Sequence, residues 1–90
     1  MITLNNIPVT VSGLCIRELG DTIVIITENG DELHSLDELG SFIWRAIDGI
    51  SSVQNILDRI CNEYEVDRSK AEEDLKKYLS ALKDKNLIGT

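Results

Sequence analysis

The sequence is poor in the residues that usually announce chemistry. It has one histidine, His34, so neither a Ser/His/Asp nor a Cys/His set can be assembled around a choice of bases. Its two cysteines, Cys15 and Cys61, stand far apart in apolar contexts, which is neither a CxxC redox pair nor a zinc spacing. They read as reduced, buried thiols of a cytoplasmic protein. The six glycines are scattered and form no phosphate-cradling loop. No apolar run approaches the roughly 18 residues of a membrane span. There is no signal-peptide pattern either. Basic residues are scarce, 9 against 16 acids, for a net charge of −7. That surplus repels phosphate backbones and argues against a nucleic-acid partner.

What is present suits one small domain over residues 1–90, with 42% apolar residues and a thin core. The charge is uneven. Residues 1–66 carry 3 basic and 11 acidic side chains, a net of −8, and residues 67–90 carry 6 and 5, a net of +1. The only proline, Pro8, ends an N-terminal arm. Leu14–Leu19 then alternates as a half-buried strand, and Thr22–Thr27 is β-branched almost throughout, as a central strand apolar on both faces. Gly20-Asp21 marks a first turn, and Asn29-Gly30 reads as a two-residue type I′ hairpin. Glu32–Leu36 is a third, short strand. Tight turns make a meander, with the second strand central.

Three helices follow. Leu39, Phe42, Ile43, Ala46 and Ile47 fall on one face of the first, capped by Asp37 or Ser35 and stopped by Gly49. Trp44 lies off that stripe and predicts a second contact surface. Gly40 weakens the opening turn by about 1 kcal/mol relative to alanine, and close packing against the preceding strands is the expected reason. The second helix spans about Ser52–Tyr64, with Val53, Ile56, Leu57, Ile60, Cys61 and Tyr64 inward. The third runs from the cap Asp67 to about Lys85, with Ala71, Leu75, Tyr78, Leu79 and Leu82 inward, and Leu87 and Ile88 pin the end. The fold class is α+β in the order βββααα: a three-stranded antiparallel sheet before a three-helix, winged-helix-like bundle.

The carboxylate clusters Asp37-Glu38 and Glu72-Glu73-Asp74 read as caps and solvated faces, not as an acid/base pair. No catalytic group, cofactor or metal is expected, and the chain reads as a non-enzyme. What remains is the edge strand Glu32–Leu36. It lacks proline, lysine and arginine, the usual blocks to strand addition, so it could accept an extended peptide. The rival reading is a winged-helix DNA-binding or transcription-regulatory domain, which the near-neutral third helix disfavours.

The stretches LDELGSFIWRAIDG, SSVQNIL, EYEVD and DLKKYLSALKDKNLI, taken in series, resemble the PqqD-like family. These are peptide-recognition domains of pathways that make ribosomally synthesised, post-translationally modified peptides. The resemblance covers about residues 9–88. It implies a peptide chaperone for natural-product biosynthesis: a leader segment of a precursor peptide adds to the third strand, beside the third helix, and is presented to a maturation enzyme such as a radical S-adenosylmethionine protein. Carried onto this sequence, the groove is Glu32, Leu33, His34, Ser35 and Leu36 on the strand. On one flank of the third helix it is Asp74, Lys77, Tyr78, Ala81 and Lys85, although periodicity allows the opposite flank, with Glu72 and Lys83, equally well. The third strand lacks the aromatic and arginine residues common in the family.

Overall fold

β-branched residues dominate Thr22–Ile26, and this segment is the central strand of a three-stranded antiparallel sheet. The computed structural model describes residues 2–27 and 30–90. After a short β1 (Val9–Thr10) come β2 (Cys15–Leu19), β3 (Thr22–Ile26) and β4 (Leu33–Leu36), in spatial order β2-β3-β4. Gly20, at φ +65°, takes the first central position of the β2–β3 turn, where a type II′ turn favours glycine. The expected Asn29-Gly30 turn rests on Glu28 and Asn29, outside the described residues. Gly30 has φ +74°, and Thr27 N–H donates to the Glu32 carbonyl at the base of the loop.

Register sorts the side chains onto two faces. Ile16, Ile25 and His34 share a row, as do Glu18, Ile23 and Leu36. This is the inner face, since Ile23, Ile25 and Leu36 are buried. Val24 and Ile26, on the other face, are half-buried. β3 is therefore central as expected, but only one of its faces is in the core.

Helices α1 (Glu38–Ala46), α2 (Val53–Glu63) and α3 (Arg68–Asp84) follow. Each is capped by its own sequence. Asp37 accepts the Gly40 N–H at 2.7 Å, and Asp67 accepts that of Lys70 at 3.1 Å. Ser52 and Asn55 form a reciprocal capping box. Asp37, not Ser35, is thus the start of α1. The buried face of α1 differs from the expected stripe. Leu39 is 41% exposed, while Gly40, Ser41 and Trp44 are buried. The cause is position: α1 packs on β3, β4 and α2 together, so its buried arc is broad and turned toward Gly40. Nor does Gly49 stop this helix, which ends at Ala46 with Ile47 as C-cap. Cys15 and Cys61 are half-buried free thiols, not buried ones.

The chain ends contain a ribbon that the residue pattern did not disclose. Asn86, at φ +61°, ends α3 in a left-handed residue. The Asn86 and Leu87 N–H groups donate back to the Lys83 and Leu82 carbonyls, a Schellman arrangement. The chain then turns so that β5 (Ile88–Gly89) pairs with β1. Two-residue strands are too short to show a period. The N-terminal arm also caps α2, because Asn6 and Leu4 carbonyls accept the N–H groups of Val53 and Gln54.

Two small residues at the start of α1 fix how the layers meet. Ser41 is fully buried. Its hydroxyl accepts the Ile23 N–H at 2.8 Å and reaches the Leu36 carbonyl at 3.4 Å. It therefore bridges the β3–β4 ladder at the Ile23–Leu36 pair. At Gly40, a Cβ would lie 2.5 Å from the Tyr78 hydroxyl oxygen and 3.1 Å from Cζ of that ring. The glycine does serve close approach, but to a tyrosine of α3 and not to the strands.

Two outcomes follow from these contacts. Ser41→Ala leaves the buried Ile23 N–H without its acceptor and should cost about 1–3 kcal/mol, read as a lower urea midpoint at unchanged slope. Gly40→Ala would stabilise an open helix turn by about 1 kcal/mol; here it should destabilise by about 1–3 kcal/mol through overpacking. Adding Tyr78→Phe removes the nearest atom, so the loss should shrink. Strictly additive effects in that double-mutant cycle would show that the Tyr78 contact is not why residue 40 is glycine.

Candidate functional site

Among the described residues strand β4 pairs only with β3, so its other edge is open. Which backbone groups point there follows from alternation. Thr27 pairs by hydrogen bond with Glu32, and Ile23 N–H is directed at β4 through Ser41. Ile25 and His34, two residues on, belong to the same set. The N–H and C=O groups of Leu33 and Ser35 are therefore directed at the open edge. The edge is short, and Leu33–Leu36 contains no proline, lysine or arginine.

Beside that edge lies a cleft of about 450 Å³ between β4 and α3. From the strand side it is bordered by Leu33, His34, Ser35 and Leu36, with the cap Asp37 just beyond; from α3 by Tyr78, Ala81, Leu82 and Lys85. Leu87, carried round by the turn at Asn86, closes one end. The helix flank of Tyr78, Ala81 and Lys85 is thus the one that faces β4. Glu32, Asp74 and Lys77 stand outside the lining. Glu32 is exposed just before β4, with its carboxylate 3.6 Å from His34 Nε2. Asp74 pairs with Lys70 at 3.2 Å, and Lys77 with Glu73 at 3.1 Å, along the helix surface. Asp37, Leu82 and Leu87 are additions. Asp37 could have been found, since a cap directly after the strand must sit at the strand's end. Leu87 could not, because its place depends on a left-handed turn at an asparagine.

The cleft wall has a definite chemistry. The Tyr78 ring forms part of it, while the hydroxyl is buried at the back with no hydrogen-bond partner among the described residues. Burial, and then the Asp37 carboxylate, push the phenol up to about 12, so it stays protonated and neutral at physiological pH. Among the described residues His34 Nε2 is the other buried side-chain polar atom without a hydrogen bond, the Glu32 carboxylate lying just beyond bonding distance. Lys85 makes no ion pair among the described residues and leaves one cation at the rim. Elsewhere on α3, Lys70, Lys76 and Lys77 are each paired with an acid four residues away. Lys83 bonds the Thr90 hydroxyl instead, so most of the helix's positive charge is matched by acids and disfavours a phosphate backbone as partner. Among the described residues no cluster of histidine, cysteine or carboxylate side chains could hold a metal ion. No described helix is long and apolar enough to cross a membrane.

Comparison with known proteins agrees with this architecture. The solved structure of TbiB1 in complex with the TbiA(beta) leader peptide is 31% identical to this chain and superposes with a TM-score of 0.83. The match covers 89% of this chain and 93% of that one. A lasso peptide synthetase B1 complexed with its leader peptide has the same fold, with a TM-score of 0.83 at 18% identity, covering 94% of this chain and 100% of that one. Among curated proteins, none matches the chain significantly. Residues 22–88, from the start of β3 to the first residue of β5, match the family described as coenzyme PQQ synthesis protein D. The chain belongs to the PqqD family.

Proposed function

We propose that this chain is a non-catalytic adaptor that binds the leader segment of a precursor peptide and presents it to a maturation enzyme. The observation that carries the reading is the open edge of β4 lying directly beside a cleft walled by Tyr78, Ala81, Leu82 and Lys85. A leader strand bonded to Leu33 and Ser35 can fill four backbone groups. At about 1 kcal/mol net each, these supply about 4 kcal/mol. Association costs an estimated 4–15 kcal/mol, and a micromolar complex needs about −8 kcal/mol net. The difference has to come from leader side chains that enter the cleft and bury apolar surface against Tyr78 and Leu82. Lys85 suits an acidic leader side chain at the rim.

Glu32, Leu33, His34, Ser35 and Leu36, with Asp74, Lys77, Tyr78, Ala81 and Lys85, remain the proposed contact set. The lining residues form its centre, and Glu32, Asp74 and Lys77 its outskirts. The family's tie to coenzyme PQQ synthesis and the leader-bound TbiB1 structure support a role in peptide maturation, and the cytoplasm is the compartment we propose, on the two free cysteines. A radical S-adenosylmethionine protein is the enzyme class that the family resemblance brings forward as the recipient. The rival DNA-binding reading finds no support in the paired lysines of α3.

Titrating into labelled protein the leader of a candidate precursor, sought among the genes that flank this one, tests the reading. Amide shifts should concentrate on Glu32–Leu36 and on Tyr78–Lys85. Tyr78→Ala should weaken binding by about 1–3 kcal/mol, as for a lost aromatic anchor, while the domain stays folded. Shifts confined to Ser51–Tyr64 would place the peptide elsewhere and defeat the proposal.

A further inference from the structure

The outer face of the sheet, opposite the helices, is unusually apolar for a surface. Its rows are set by register: Cys15, Ile26 and Leu33 in one, Arg17, Val24 and Ser35 in the next. The first row grades from half-buried to open. Cys15 and Ile26 are half-buried, whereas Leu33 is 65% exposed. Leu33 sits at the very edge where a further strand would lie. An apolar row that ends in water at an open edge is incomplete in the direction of that strand.

Leu33 and Ser35 are also the two residues whose N–H and C=O groups point outward. A strand bonded to them sets its own residues directly opposite, with side chains on this same outer face. Its intervening residues point inward, into the cleft beside His34 and Tyr78. Every leader that binds by strand addition therefore presents alternate side chains to two different surfaces, and the cleft can read only half of them.

We propose that Leu33 is a specificity-determining residue acting from the outer face. It selects, in the leader position paired with it, an apolar β-branched or aromatic side chain that continues the Cys15–Ile26–Leu33 row. Two positions along, opposite the short Ser35 side chain, a small or hydroxyl-bearing residue fits. This rests on the strand-addition reading above and names the second surface by which the same site recognises its peptide. Cross-strand neighbours on one face interact directly, and opposite charges there attract, so the preference can be rewritten by changing one residue.

The test is selection from a displayed library of random linear peptides against the folded protein, against Leu33→Lys and, as a strand-compatible control, against Leu33→Thr. The native protein should enrich peptides with an apolar residue at one position. Leu33→Lys should move that position to Asp or Glu, Leu33→Thr should flatten it, and other positions should keep their preferences. A peptide selected on the native protein should bind Leu33→Lys about two- to ten-fold more weakly. The position moved by Leu33→Lys should lie an odd number of residues from any position moved by Tyr78→Ala, because the two face opposite sides. If the native protein enriches no peptide family, strand addition itself fails. If peptides are enriched but Leu33→Lys moves no position, or moves the one that Tyr78→Ala moves, the outer-face role is overturned and the cleft reading stands.

Discussion

The width of the cleft depends on one contact, that of the Tyr78 ring with the backbone of Gly40. With no Cβ at residue 40, α3 can lay a tyrosine directly on the first turn of α1, and any larger residue would collide with its hydroxyl. That ring is at once part of the core boundary and part of the cleft wall. The first turn of α1 is in turn tied to the sheet, because Ser41 bridges Ile23 and Leu36 and Asp37 caps the helix from the last residue before it. Strand edge, helix start and opposing helix are thus joined through Asp37, Gly40, Ser41 and Tyr78. Since packed interiors transmit small displacements, a change at residue 40 is felt at the strand edge even though glycine touches no peptide.

This coupling explains how Gly40 and Ser41, which carry no catalytic chemistry, bear on the cleft. Backbone pairing is available at any open strand edge and carries no sequence information. A four-residue edge supplies too little energy to hold a peptide alone. Selectivity and most of the net affinity fall to side-chain burial beside the edge, which requires a cleft of fixed width. The buried phenol adds a constraint of its own. Being neutral, it needs no counter-ion in the cleft wall, although a buried hydroxyl with no partner among the described residues carries a desolvation cost.

Much of this was legible in the residue pattern because it rests on periodicity. The β-branched run Thr22–Ile26, the turn glycine Gly20, the caps Asp37, Ser52 and Asp67, and the stripes of α2 and α3 are local signals, and the structure follows them. The face of α1 departs from the wheel because its burial is decided by three neighbours at once, which a single-helix wheel does not contain: Leu39 turns out, while Trp44, off the stripe, is buried at a second contact surface as expected. The β1–β5 ribbon joins two-residue strands from opposite ends of the chain, leaving no local trace. The α3 residues of the cleft split for a similar reason. Tyr78, Ala81 and Lys85 share the side turned toward β4, while Asp74 and Lys77, on the same flank by the wheel, are taken up by i,i+4 pairs with Lys70 and Glu73.

An edge left open for one strand is open to a second copy of itself, and the acidic surplus bears on that. Leu33–Leu36 is bracketed by Asp31 and Glu32 on one side and by Asp37 and Glu38 on the other. Whichever way two copies align these edges, antiparallel or parallel, acids of one meet acids of the other, and like charges placed opposite are destabilising. Within the strand itself there is no lysine, arginine, carboxylate or proline to block pairing. Protection therefore lies at the ends of the edge, and the middle stays free. A strand without acids at its own ends escapes the repulsion, whereas a second copy of this chain cannot. The same net charge of −7 that disfavours a phosphate backbone thus also disfavours self-pairing at the open edge.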